Sequence, residues 1–167
     1  MIVRDAVEAD VAAILAIYNQ VLMTSAAIWR DEPVTLEDRL AWFHAQQDQG
    51  FPVLVAVDQS GTIVGYASFG AFRPWPGYYP TVEHSIHVAD GSRGHGVGRM
   101  LLDGLTERAR AMGKSVMIAG IDAGNVGSIR FHERSGFREV ARMEGIGRKF
   151  GEPLDLVLMQ RDLPVEP

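Results

Sequence analysis

Between an apolar run at residues 81–88 and an amphipathic stretch at residues 96–112, the chain reads Arg93-Gly94-His95-Gly96-Val97-Gly98. Glycines at alternate positions let the backbone turn tightly and approach a ligand with no side chain in the way. A helix opening at that point aims its first unpaired N–H groups into the bend. Those groups and the helix dipole together make a site for phosphate. Strand, glycine turn and helix therefore predict an α/β chain with a phosphorylated ligand at this helix start.

The flanking elements follow from hydrophobic period and punctuation. Residues 2–4 read as a first strand and 5–25 as a helix, with Val11, Ile14, Leu15, Tyr18 and Leu22 on one stripe. Thr35 with Asp38 resembles a capping box for a second helix over residues 36–49, stopped by Gly50 and Pro52. Strands at 52–57 and 63–69 flank Asp58-Gln59-Ser60-Gly61, a hairpin signal. A loop rich in proline and aromatics spans 71–80, and residues 81–88 form a fourth strand. In the helix at 96–112, Val97, Leu101, Leu105, Ala109 and Met112 share a face, and Gly113 ends it. A nearly all-apolar strand at 115–121, a short helix at 125–135 closed by Gly136, and strands at 137–143 and 154–161 complete the order βααβββαβαββ. One domain over residues 1–167 is expected, with a mixed sheet of about seven strands flanked by helices.

Composition narrows the class. A net charge of −5 disfavours general nucleic-acid binding, which needs a basic face. No apolar run is long enough to span a membrane, and the first residues lack the pattern of a signal peptide. With no cysteine there is no disulfide, thiolate metal site or cysteine nucleophile. A cytoplasmic enzyme or binding protein is expected, without a metal.

A nucleotide P-loop ends in Gly-Lys-Ser/Thr, and Gly98-Arg99-Met100 does not. A dinucleotide turn needs G-x-G-x-x-G. Counted from Gly94, its third glycine position is Arg99, and the preceding meander and two helices are unlike a βαβ start. Arg93-Gly94-x-Gly96-x-Gly98 instead resembles the Q/R-x-x-G-x-G/A loop of the GCN5-related N-acetyltransferases (GNAT). Downstream, Asn125-x-x-x-Ser128-Ile129-Arg130-Phe131-His132-Glu133-Arg134-x-Gly136-Phe137 resembles the N-x-x-(A/S)-x-x-(L/F)-Y-x-x-x-G-F segment of the same family. Ile17-Tyr18-Asn19, residues 24–29 and 39–43, Gly65-Tyr66-Ala67-Ser68-Phe69-Gly70, Thr81-Val82-Glu83-His84-Ser85 and Lys149-Phe150-Gly151 resemble its phosphinothricin and methionine sulfoximine branch.

The resemblance implies acetyl-coenzyme A as co-substrate, with its pyrophosphate on the amides of Gly94, His95, Gly96, Val97 and Gly98. Arg93 and Arg99 add charge there, Ile86, His87 and Val88 pair with the pantetheine, and Asn125 and Ser128 lie nearby. Asn125 is equally a good helix N-cap. The implied reaction is direct N-acetylation of the α-amine of a small amino acid such as methionine sulfone, methionine sulfoximine or phosphinothricin. A homodimer is the branch's usual state.

An ammonium must lose a proton before it attacks, and Glu83 is the candidate base. Strand alternation puts Val82, His84, Ile86 and Val88 on one face and Glu83, Ser85 and His87 on the other. A carboxylate in mid-strand faces water or a site. His132 stands where many relatives carry a tyrosine, as a candidate acid for the leaving thiolate or as a packing residue. Arg73 is the candidate for the substrate carboxylate. Trp29, Trp75, Tyr78 and Lys149 are candidate pocket residues, Lys149 from a partner subunit. The loop departs from the branch's Asp-Trp-Arg at Ala71-Phe72-Arg73, and its Arg-Trp is absent at Glu152-Pro153. Polyamine, aminoglycoside or protein N-terminus acetylation, or a non-catalytic coenzyme sensor, stand as alternatives.

Overall fold

The computed structural model describes residues 1–164, so the last three residues of the expected domain lie outside the described residues. Seven strands and four helices follow in the order β1 (Ile2–Asp5), α1 (Val11–Thr24), α2 (Leu36–Asp48), β2 (Val53–Val57), β3 (Ile63–Ala71), β4 (Thr81–Val88), α3 (Val97–Ala111), β5 (Val116–Asp122), α4 (Val126–Arg134), β6 (Arg138–Lys149) and β7 (Glu152–Asp162). The strands form one sheet in the order β1-β2-β3-β4-β5-β7-β6. Only the β4–β5 pair is parallel.

Both faces of the sheet are covered, so β2 is buried along its whole length. Its alternation divides the core. Leu54 and Ala56 join Leu101, Leu102 and Leu105 of α3 on one face. Val53, Val55 and Val57 join Val11, Ile14, Ile17 and Val21 of α1 and Phe43 of α2 on the other. Burying each of these larger side chains is worth about 1.5–3 kcal/mol. The α2 start is the expected capping box, with Thr35 Oγ accepting from Asp38 N at 3.1 Å and Asp38 accepting from Thr35 N at 3.1 Å.

Two boundaries differ from the sequence expectation. The first helix starts at Val11, not near residue 5, after a 3₁₀ turn at Glu8–Asp10. The cause is Asp10, whose carboxylate takes the Val7 N–H at 2.8 Å and a two-pronged contact from Arg4 at 2.6 and 3.0 Å. The last hairpin is longer than expected because β6 runs on to Lys149. Its register breaks between Met143 and Gly147, and Asp155 Oδ1 accepts from Gly145 N at 2.7 Å. A bulge of this kind hides a strand from a period-two reading.

Candidate active site

β4 and β5 pair only from Thr81↔Val116 to His84↔Ala119. Beyond that point β4 continues to Val88 and β5 to Asp122 without a shared ladder. The sheet therefore opens as a wedge, with one edge of residues 85–88 lacking a strand partner. Unpaired backbone N–H and C=O groups at such an edge offer themselves to an extended ligand. The wedge widens into a cleft of about 310 Å³ lined by Tyr18, His84, Ser85, Ile86, His87, Gly120, Asp122, Asn125, Ser128 and His132.

The glycine loop lies past the end of β4. Gly94 and Gly96 have φ of 80° and 82°, a region other residues enter only with strain, and a Cβ at either would meet nothing within 4 Å. The loop thus presents bare backbone beneath open space, and Gly96 is the N-cap of α3. Gly98 differs, since a Cβ there would make ordinary contact with the Phe131 ring of α4 at 3.5 Å. His95 is exposed. Arg93 pairs with Asp90 at 3.1 Å and Arg99 with Asp103 at 3.0 Å, both at the surface. Exposed pairs of this kind are worth at most about 1 kcal/mol, so either arginine can exchange its carboxylate for a phosphate. Asn125 caps α4, accepting from Ser128 N at 3.0 Å, while both residues line the cleft.

Glu83 sits half-buried where the two strands part, and a Cβ on Gly120 of β5 would come within 2.9 Å of its Oε1. A side chain at position 120 would make that carboxylate shift. Burial pushes the Glu83 pKa up, and the positive charge of Arg73 opposes the rise. The result suits a group that must take a proton near neutral pH.

His132 turns inward. Its Nδ1 donates to the Ser128 carbonyl at 2.8 Å and its Nε2 lies 3.1 Å from His84 Nε2. His84 Nδ1 in turn donates to the Ile118 carbonyl at 3.1 Å. The three contacts need three ring protons, one more than two neutral imidazoles carry. Burial and the neighbouring ring push His84 down to about 3, and burial lowers His132 as well. With both rings neutral, each Nδ1–H is spent on its carbonyl, and the two Nε2 atoms meet without a proton between them. His84, placed by the sequence only on a strand face, is the direct neighbour of His132.

The substrate candidates separate. Arg73 lies over the Phe72 ring at 4.2 Å and acts on Glu83 through its charge. Trp75 and Tyr78 do not reach the cleft. With Arg73, which does not line the cleft either, they line another cavity, of about 420 Å³, beside Phe51, Met112 and Lys114. Their loop is held there because Tyr79 donates to the Met112 carbonyl at 3.2 Å and accepts on its own carbonyl from Lys114 Nζ at 2.8 Å. Trp29 packs on Gly147 of β6, where a Cβ would collide with its ring. Lys149 is 4% exposed and donates to the carbonyls of Leu22 and Ile28 of its own chain, the latter at 2.6 Å. It ties down the segment between α1 and α2 and does not line the cleft of its own chain. Missed in the sequence was Arg39, which lines a second pocket beside the cleft. Its signal was a charge on the buried stripe of α2 with Phe43 and Gln46.

Residues 14–137 match the model of the acetyltransferase (GNAT) family. The chain belongs to this family. It is 50% identical over 161 residues to the L-methionine sulfoximine/L-methionine sulfone acetyltransferase of Pseudomonas aeruginosa, covering 96% of this chain and 94% of that one. The fold matches the phosphinothricin acetyltransferase of Sinorhizobium meliloti, solved with acetyl-coenzyme A, at a TM-score of 0.93 and 36% identity over 97% of this chain and 88% of that one. It also matches a ribosomal-protein-alanine N-acetyltransferase from Brucella melitensis at a TM-score of 0.94 and 47% identity, over 98% and 100% of the two chains. This GNAT chain is an acetyl-coenzyme A-dependent N-acetyltransferase. The wedge and the glycine loop fit that co-substrate, one offering a strand edge and the other bare amides under open space. Among the described residues no helix is long and apolar enough to cross a membrane, and no group of three or more acidic or histidine side chains is placed to hold a metal.

Proposed function

We propose that the chain acetylates the α-amine of a small amino acid such as methionine sulfone, methionine sulfoximine or phosphinothricin, by direct attack, as one cytoplasmic domain and as a homodimer. The observation that carries this is Glu83, a half-buried carboxylate at the fork of β4 and β5, on the same strand face as Ser85, which lines a pocket of amino-acid size. Support for the substrate class comes from the relatives named above. The edge strand β6, with exposed Val140 and Ile146, supports the dimer.

Bound acetyl-coenzyme A supplies a thioester carbonyl. The amides of Gly94, His95, Gly96, Val97 and Gly98 hold its phosphates, with Arg93 and Arg99 alongside. The open edge at Ile86, His87 and Val88 aligns the pantetheine, and Asn125 and Ser128 close the far wall. Glu83 accepts the ammonium proton, directly or through a water, and so delivers a neutral nucleophile. Backbone N–H groups at the fork face the carbonyl oxygen as it gains charge. The departing thiolate has an ordinary pKa of about 8.5 and needs no acid. His132 accordingly acts with His84 as a wall of the cleft, outside the proton transfer.

Thiol release from acetyl-coenzyme A with methionine sulfone tests this reading across pH. A base works only when ionised, and the Glu83 pKa is raised, so activity is expected to fall with falling pH above the usual carboxylate range. Arg73→Met removes the charge that holds this pKa down and should move the acid limb to still higher pH. An unmoved limb removes Glu83–Arg73 coupling from the mechanism, and absence of turnover on every amino acid overturns the function.

A further inference from the structure

Arg39 is 6% exposed, yet its side chain makes no hydrogen bond or ion pair among the described residues, and its Nε is buried without a partner. Leaving a buried guanidinium unpaired is costly, so such a group is kept for a ligand or held by one. Its plane is pinned from two sides, lying 3.7 Å over the Tyr18 ring and 4.5 Å over that of Trp42. Stacking fixes the direction of the fork without using any of its five donors. The group opens into a pocket of about 260 Å³ lined by Tyr18, Trp42, Tyr66, Ser68, Ser85 and His87, with Arg30 and Asp38 at the rim. The one rim carboxylate, Asp38, is committed to the N-cap of α2 through Thr35.

This pocket adjoins the acetyl-transfer cleft, and the two share Tyr18, Ser85 and His87. Ser68 and Ser85 face each other across β3 and β4, on the same face as Glu83. Glu83 itself lines neither pocket but lies two residues before Ser85 on the same strand face, so an amine at this seam is in the neighbourhood of the base. Its own α-carboxylate, two bonds away, then lies toward Arg39. We propose that Arg39 is the carboxylate-recognition residue of the acceptor pocket, pairing as a two-pronged fork with the α-carboxylate of a free amino acid. This rests on the acetyltransferase reading above and adds the rule by which it selects: a peptide or protein N-terminus, which carries an amide in place of that carboxylate, is refused.

The test compares methionine sulfone with its carboxamide as acceptors for wild type, Arg39→Met and Arg39→Lys. Losing a charge-assisted pair should lower kcat/KM on the acid by about 10- to 150-fold in Arg39→Met and change it little on the amide. Arg39→Lys, which keeps the charge but not the fork, should fall between them on the acid alone. Unchanged acetyl-coenzyme A binding shows that the variants are folded. If Arg39→Met does not fold, the acid-to-amide ratio of Arg39→Lys decides. Equal losses on acid and amide, or none on either, overturn the carboxylate role. Wild-type silence on both acceptors overturns instead the amino-acid reading.

Discussion

Glu83→Gln is expected to lower kcat by about 10²- to 10⁴-fold while leaving acetyl-coenzyme A affinity within a factor of about two, because the amide keeps the volume and loses the base. Its Oε1 is seated against Gly120, so the substitution changes chemistry more than shape. The deficit should shrink at alkaline pH, where more of the acceptor amine is already neutral. Calorimetric titration of the coenzyme beside steady-state rates separates the two readouts. A variant with wild-type kcat would assign the proton to bulk water.

Gly96→Val is expected to do the reverse, raising the KM for acetyl-coenzyme A with little effect on that for the acceptor. Position 96 has φ of 82° at the N-cap of α3, where a branched side chain costs about 1–2 kcal/mol and pushes the loop out of shape. That corresponds to roughly 5- to 30-fold. The new side chain also occupies the open space above the amides. Steady-state kinetics with each substrate varied in turn shows which KM moved. Equal rises for both substrates would mean that the loop serves general stability and not the donor.

The order of elements was legible because each carries its own period. The short all-apolar run of β2 and the 3.6-residue stripe of α3 are each visible locally. The glycine loop was legible for the same reason, since a run of glycines before a helix is contiguous in the chain. Acceptor residues meet only in the tertiary fold. Nothing local distinguishes Trp75 and Tyr78, held over Met112 and Lys114, from aromatics that wall a substrate pocket. Lys149 finds its carbonyl partners on Leu22 and Ile28, more than a hundred positions away in the chain. Arg39 looks like an ordinary helical charge until Tyr18, from another helix, is stacked on it. The same holds for His132, whose inward turn depends on His84 from a strand far earlier in the chain.

The most direct measurement is acetyl transfer to methionine sulfone set against a peptide beginning with alanine, with thiol release followed and the product located by mass spectrometry. The account predicts saturable turnover on the amino acid, acetyl on its α-nitrogen, and a kcat/KM at least about tenfold above that for the peptide. Efficient acetylation of the peptide with silence on the free amino acid would contradict it.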